Sequence, residues 1–103
     1  MYVIVLITTS NEKEAEEIAQ KILQNRLAAC VNILPNVNSL FWWKDKIEHS
    51  EETLMIIKSK RDMFDQLVET VKSIHSYQIP EILALPVKEG FTKYLNWLDS
   101  VTE

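Results

Sequence analysis

The chain has 103 residues, a hydrophobic fraction of 47%, a charged fraction of 25% and a net charge of −4. We expect a single domain spanning residues 1–103, with a composition ordinary for a folded globular protein. The acidic balance, without any long run of lysines and arginines, excludes a phosphate-binding stripe, so we expect no nucleic acid partner.

The cysteine count and the apolar segments bear on cellular location. The single cysteine, Cys30, fits a reducing compartment. No segment reaches the ~20 apolar residues of a membrane span. The apolar start also lacks the basic leader and cleavage site of a secretory signal. We therefore expect a cytoplasmic protein with no membrane insertion.

The first two predicted elements are a buried strand and a helix. Tyr2–Thr9 is almost continuously apolar, which is typical of a strand covered by its neighbours. The helix is predicted to begin at Asn11, with Glu14 as its capping partner, and to end at Asn25. Apolar residues at helical spacing form one face of it, namely Ala15, Ile18, Ala19, Ile22 and Leu23.

A long two-stranded ribbon from Leu27 to Lys60 follows, with a predicted turn at residues 44–46. Its outgoing arm bends or bulges at Pro35-Asn36, because proline cannot donate to a strand ladder. From Ala28 to Trp43 this arm could span ~50 Å. That length overshoots any sheet that a chain of this size can build.

The ribbon tip carries adjacent aromatic residues that would be exposed in a lone chain. We therefore expect an obligate oligomer with Phe41, Trp42 and Trp43 at the interface. Trp42 and Trp43 must face opposite sides of the strand. One of the two tryptophans is thus free to wall a ligand cleft.

The second half of the chain predicts a helix, a strand and a last helix. Ser59 with Asp62 resembles a capping pair, and the helix after it has an apolar face of Phe64, Leu67, Val68, Val71 and Ile74. A fourth strand is predicted at residues 81–87, interrupted or bounded by Pro86. Beyond Gly90, a last helix carries Phe91, Tyr94, Leu95, Leu98 and Val101 on one side.

The order β-α-β-β-α-β-α with right-handed crossovers predicts an α+β fold. It is a ferredoxin-like split β-α-β sandwich with an extra C-terminal helix.

Sequence motifs exclude several kinds of chemistry. A single glycine rules out a Gly-rich phosphate cradle and a serine nucleophile elbow. No CxxC or HxxxH pair supplies a self-contained metal site. We see no acid and base at convincing spacing, so an enzyme is not expected.

Two groups of polar residues remain as candidates. Around the ribbon tip, Glu48, Glu51 and Glu52 are expected to form a solvated edge, and His49 to be exposed. Cys30 is expected to behave as a small buried hydrophobe. The loop from His75 to Glu81 contains His, Tyr and Glu side chains beside a proline, where binding residues tend to lie.

Four stretches together resemble the CutA family of divalent-cation-tolerance proteins. They are RLAACVN at 26–32, FWWKDKIE at 41–48, Ile57-Lys58 and HSYQIPEI at 75–82, followed by the Tyr94-Leu95-xx-Trp97 pattern. The resemblance covers essentially the whole chain. It implies a ferredoxin-like subunit in a tight homotrimer, in which long ribbons pair across subunits.

The resemblance also implies a role in tolerance to copper and other divalent cations, without an obligate cofactor. Of the copper ligands proposed for bacterial members only His75 is present, because Ile7 and Ile74 stand at the other positions. Cys30 matches a family cysteine. His75 and Cys30 are therefore the candidate ligands for Cu(II) or another divalent cation.

Two alternatives remain open. The first is a signalling module, similar to the trimeric PII proteins, that binds a small anionic ligand in a cleft between subunits. Its predicted lining is Trp43, Glu48, Lys58, Tyr77 and Glu81, with His75 as a further contact. The second is a non-enzymatic scaffold for protein interactions.

Overall fold

The computed structural model describes residues 1–102, which form an α+β fold of one four-stranded sheet and three α-helices. The strands are β1 (Tyr2–Thr9), β2 (Cys30–Trp43), β3 (Lys46–Lys60) and β4 (Ile82–Pro86). The helices are α1 (Glu12–Gln24), α2 (Phe64–Ile74) and α3 (Thr92–Val101). This is the predicted β-α-β-β-α-β-α order.

The sheet has the strand order β2-β3-β1-β4, and every neighbouring pair is antiparallel. β1 and β2 therefore run in the same direction with β3 between them. β3 and β4 likewise enclose β1. Each β-α-β unit is thus split by a strand of the other unit, as the sequence predicts.

The core lies between one face of the sheet and the helices α1 and α2. Alternate residues of β1 and β3 point into it, including Val5, Ile7, Met55 and Ile57. The two helices contribute Ala15, Ile18, Ala19, Ile22, Leu67 and Val71. Leu23 and Ile74 were predicted on the same helix faces, and this is wrong because both side chains are exposed in this chain.

The predicted start and end of α1 are confirmed. Asn11 Oδ1 accepts a hydrogen bond from the Glu14 amide at 2.8 Å, and Asn25 forms the C-cap. The return bond of the capping box goes one residue further back, because the Ser10 amide donates to Glu14 Oε1 at 3.0 Å. Glu14 is therefore held in place at the helix start.

The ribbon projects beyond the sheet, as predicted. β2 and β3 pair as far as Trp43↔Lys46, whereas β1 pairs with β3 only as far as Thr9↔Thr53. Residues 37–52, the projecting ribbon, therefore extend past the end of β1. The predicted irregularity is a bulge between Leu34 and Val37, with Asn36 in a left-handed conformation.

The ribbon turns over two residues, Lys44 and Asp45, since Lys46 already belongs to β3. Both have positive φ, 52° and 63°, as a type I′ hairpin turn requires. The turn is one residue shorter than predicted. Neither residue is glycine, so the left-handed backbone conformation at Lys44 and Asp45 carries a steric cost.

Three predicted boundaries are corrected. Ser59 does not cap a helix, because it is buried in β3 and donates to the Leu27 carbonyl at 2.6 Å. A 3₁₀ turn at Arg61–Met63 precedes α2 instead. Phe91 is the exposed N-cap of α3 rather than part of its apolar side, and β4 is shorter than predicted, with Pro86 at its end.

Helix α3 contacts the face of the sheet opposite to α1 and α2. The Tyr2 hydroxyl donates to Asp99 Oδ2 at 2.7 Å, and Lys60 Nζ lies 3.8 Å from Asp99 Oδ1. Within residues 1–102 no helix is long and apolar enough to cross a membrane.

Candidate functional site

A cleft of about 540 Å³ opens between the projecting ribbon and the loop of residues 75–81. Its lining is Thr8, Phe41, Trp42, Trp43, Glu48, His49, Ser50, Glu52, Tyr77, Gln78, Ile79 and Glu81. The structure thus brings together Trp43, Glu48, Tyr77 and Glu81 of the predicted cleft residues. Lys58 lies outside it, six residues further along β3 from Glu52.

One face of the projecting ribbon forms an aromatic wall. Phe41 pairs with Glu48 across the ladder, and alternation places Trp43 on the same face. Trp43 is 39% exposed, whereas Trp42 on the opposite face is 72% exposed. The two tryptophans therefore face opposite sides, as predicted. The ammonium of Lys44 lies 6.0 Å from the centre of the Trp43 ring.

Glu52 and Tyr77 join the two sides of the cleft. The Tyr77 hydroxyl donates to Glu52 Oε2 at 2.6 Å. Burial and the Glu52 carboxylate raise the pKa of Tyr77 well above its usual range. Glu52 is only 6% exposed, so its predicted place on a solvated edge is wrong, while Glu48, Glu51 and His49 are exposed as predicted.

Glu81 gives the cleft a second carboxylate near Glu52. Partial burial and the negative charge of Glu52 raise the pKa of Glu81. With Glu48, the lining contains three glutamates and none of the described lysines or arginines. The cleft is therefore electronegative and suited to a cation.

His75 is a buried clamp at the start of the loop. Its Nε2 lies 2.8 Å from the Thr8 carbonyl oxygen, and the Tyr77 amide donates to its Nδ1 at 3.0 Å. The side chain has no exposed surface. A carbonyl accepts and an amide donates, so Nε2 donates to Thr8 and Nδ1 accepts from Tyr77. A metal ion at His75 would have to displace one of these two bonds.

Glu14 fastens the same loop to helix α1. The Ser76 amide donates to its Oε2 at 2.6 Å, while Ser10 donates to its Oε1. Burial raises the pKa of Glu14, but the hydrogen bonds from Ser10 and Ser76 outweigh it and leave the pKa below its usual value. Sequence spacing indicates only the helix cap, because Ser76 is 62 residues away.

Cys30 lies at the other end of the sheet from His75. It is half-buried, 3.9 Å from Lys58 Nζ, and Lys58 also donates to Asn32. Cys30 pairs with Lys58 on β3, and Lys58 pairs with Ile4 on β1. Ile4 lies four residues, or ~13 Å, along β1 from Thr8, whose carbonyl His75 contacts. In residues 1–102 no three or more His, Cys, Asp or Glu side chains are grouped to hold a metal ion.

Comparison with known proteins places these features in a family. The family model described as CutA1 divalent ion tolerance protein matches residues 3–101. The chain is 46% identical over 97 residues to protein CutA of Mus musculus, covering 94% of this chain and 55% of that protein. This chain thus spans about half the length of the mouse relative.

Two solved structures are each 42% identical to this chain, and each match covers 100% of this chain and 100% of the chain in the solved structure. One is the divalent cation tolerance protein (Cut A1) of Thermus thermophilus, with a TM-score of 0.98. The other is described as the periplasmic divalent cation tolerance protein CutA of Archaeoglobus fulgidus, with a TM-score of 0.97. The chain belongs to the CutA1 divalent ion tolerance family. The family is named for tolerance of ions rather than for a reaction.

Proposed function

We propose that the protein is a homotrimeric, non-enzymatic divalent-cation-tolerance protein that binds a divalent cation weakly at the Glu52–Glu81 side of the cleft. The observation that carries this proposal is the lining of the cleft, which contains the carboxylates of Glu48, Glu52 and Glu81 and none of the described lysines or arginines. Two carboxylates that disfavour each other's charge are stabilised by a cation placed between them.

The composition of the cleft supports one class of ligand over the others. The carboxylate oxygens of Glu52 and Glu81 suit hard cations such as Mg²⁺ or Mn²⁺ better than copper, although the exposed imidazole of His49 also lines the cleft. Cu(II) binding at His75 or Cys30 remains a separate proposal, and it requires His75 to give up a hydrogen bond. The absence of cationic side chains from the described lining disfavours a small anionic ligand in this cleft, whereas an anionic ligand between subunits stays a prediction.

Weak binding follows from the number of ligands. Glu52 offers one carboxylate oxygen beyond its bond to Tyr77, and Glu81 offers its own carboxylate. Water or another copy of the chain would supply the remaining positions. We therefore expect a dissociation constant on the order of 10⁻⁴–10⁻³ M.

Self-association is supported by apolar surface outside the core. Leu40, Trp42 and Ile47 are between 63% and 72% exposed on the ribbon face opposite the aromatic wall. Leu83 and Leu85 are exposed on β4, the last strand of the sheet. A chain of this size would leave these residues in water as a monomer. Assembly into a trimer, which the resemblance implies, would cover them.

Calorimetric titration of Mg²⁺, Mn²⁺, Zn²⁺ and Cu²⁺ into the chelator-treated protein tests the cation site. We expect Glu81→Gln to weaken binding about tenfold or more, as the loss of one charged ligand does. Glu51→Gln is the matched control, because Glu51 is exposed and outside the cleft lining. Equal affinity in both variants would reject Glu81 as a ligand, and loss of Cu²⁺ binding only in His75→Ala would move the site to His75.

The cytoplasmic location stays a prediction. The Archaeoglobus fulgidus relative is described as periplasmic. Fractionation of the source cells, with detection of the native protein, tests this prediction directly.

A further inference from the structure

We propose that the cleft also binds a protonated organic amine, with its ammonium at Glu52 and Glu81 and its hydrocarbon part against Phe41 and Trp43. This inference rests on the cation-binding cleft of the proposed function, but it names a different class of ligand. The argument has three independent parts: a carboxylate with one oxygen open to the cleft, an aromatic wall and a cleft of suitable size.

The Glu52 carboxylate is the first part. The residue is 6% exposed and lines the cleft. Its Oε2 accepts the Tyr77 hydroxyl, whereas residues 1–102 supply no hydrogen bond to its Oε1. No buried side-chain oxygen or nitrogen in residues 1–102 lacks a hydrogen-bond partner, so Oε1 is open to the cleft, where a charged N–H donor can bind it. An alkylammonium offers three such donors.

The aromatic wall is the second part. Phe41, Trp43 and Tyr77 line the cleft beside the carboxylates. A hydrated metal ion gains little from such a wall, whereas an organic cation gains both apolar contact and cation–π attraction.

Size and charge are consistent with the same ligand. About 540 Å³ lies within the range of small-molecule sites. Glu52 and Glu81 line the same cleft, and their like charges repel each other when no cation is present. A bound ammonium relieves this repulsion and adds hydrogen bonds to both groups. Glu48 on the ribbon adds further negative charge to the lining.

Three probes that differ mainly in charge test the proposal. n-Hexylammonium, n-hexanol and hexanoate are titrated calorimetrically into the full-length protein in its native assembly at pH 7. The amine is protonated there, since alkylammonium groups have pKa values of about 10. We expect saturable binding of n-hexylammonium alone.

Matched variants assign the binding to the cleft. Glu81→Gln and Trp43→Leu should each weaken n-hexylammonium about tenfold, the scale of one charged hydrogen bond or one cation–π contact with its apolar area. Glu51→Gln and Trp97→Leu should bind as the unaltered protein does. Trp97 is 43% exposed on α3, close to the exposure of Trp43, and lies outside the cleft lining. Mass measurement of each variant confirms unchanged assembly.

Several outcomes would overturn the inference. Equal binding of n-hexanol would define an apolar groove without cation recognition. No saturable amine binding, or binding unaffected by Glu81→Gln, would also reject it. Parallel Mg²⁺ and Mn²⁺ titrations separate this proposal from the proposed metal site. Metal binding without amine binding would reject only the amine proposal. Amine binding without metal binding leaves this inference standing and rejects the metal site.

Discussion

The hydroxyl of Tyr77 donates a 2.6 Å hydrogen bond to the buried carboxylate of Glu52, and this bond joins the loop after α2 to the projecting ribbon. The same loop is held at its start by His75 against the Thr8 carbonyl and by Glu14 against the Ser76 amide. The width of the cleft therefore depends on contacts made by α1, β1, β3 and the loop.

Removing the Tyr77 hydroxyl should cost stability. In Tyr77→Phe the buried Glu52 carboxylate loses its donor, so we expect the free energy of unfolding to fall by about 1.5–3 kcal/mol. Urea denaturation at fixed protein concentration measures it. The same substitution made in a Glu52→Gln background should cost less, with a coupling energy of about 0.5–3 kcal/mol. Additive effects of the two substitutions would show that the bond contributes nothing in solution.

His75→Ala should destabilise the protein through its hydrogen bonds and its volume. It leaves the Thr8 carbonyl and the Tyr77 amide without their partner and opens a cavity, a loss of about 2–4 kcal/mol. His49→Ala is the control, since His49 is exposed and should change the free energy of unfolding by less than about 0.5 kcal/mol. If the two variants unfold at the same urea concentration, His75 does not act as a clamp.

Local patterns predicted the parts of the fold that depend on neighbours in sequence. The cap at Asn11 and the bulge at Pro35-Asn36 follow from short-range chemistry, and both are confirmed. The projecting ribbon followed from length alone. Four cleft residues named in advance, including Trp43 and Tyr77, lie together in the structure.

Contacts between distant segments account for what the sequence did not predict. Glu52 stands among charged residues and has the pattern of a solvated edge, but Tyr77, 25 residues away, covers it. Ser59 has a capping pattern, yet its hydroxyl goes to the Leu27 carbonyl 32 residues away. Lys58 was predicted in a cleft between subunits; within the chain it lies outside the cleft, on the ladder beside Cys30 and Asn32. No spacing rule contains such pairings.

Trp42 should contribute more to self-association than Trp43. Trp42 is 72% exposed in the single chain and lies on the ribbon face opposite the aromatic wall, as expected of an interface anchor. We expect Trp42→Ala to raise the dissociation constant of the assembly about 30-fold, which corresponds to about 2 kcal/mol. Sedimentation over a dilution series measures this, with Trp43→Ala as the comparison. An oligomer as tight as the unaltered one in Trp42→Ala would place the interface elsewhere.

Glu14→Gln should reduce stability at neutral pH more than in acid. The folded-state pKa of Glu14 is lowered, so its carboxylate contributes stability above the unfolded value of 4.5, and this contribution is lost as pH falls through the folded pKa. At pH 7 we expect a loss of about 1–2 kcal/mol, because an amide cannot accept from both Ser10 and Ser76 equally well. The difference from the unaltered protein should shrink below pH 4.5. Glu17→Gln, an exposed substitution on α1, should show no such pH dependence.

Cation binding should weaken in mild acid through Glu81. Its pKa in the folded, cation-free protein is raised above 4.5, so the carboxylate becomes protonated at a higher pH than an ordinary glutamate. A cation binds the ionised form, and the affinity should therefore be constant near neutral pH and fall by up to about tenfold per pH unit below the Glu81 pKa.

The same raised pKa fixes the sign of the effect on stability. For an acid whose pKa is raised by folding, the folded state is favoured while the group is protonated, and this advantage is lost as pH rises through the folded pKa. Glu81→Gln should therefore unfold at a higher urea concentration than the unaltered protein at pH 7 without cation, and at a similar one near pH 4. Its cation affinity should be weak and independent of pH. A variant that keeps the acid-dependent loss of binding would show that another group titrates in the cleft. A variant that is less stable than the unaltered protein at pH 7 would contradict the raised pKa of Glu81.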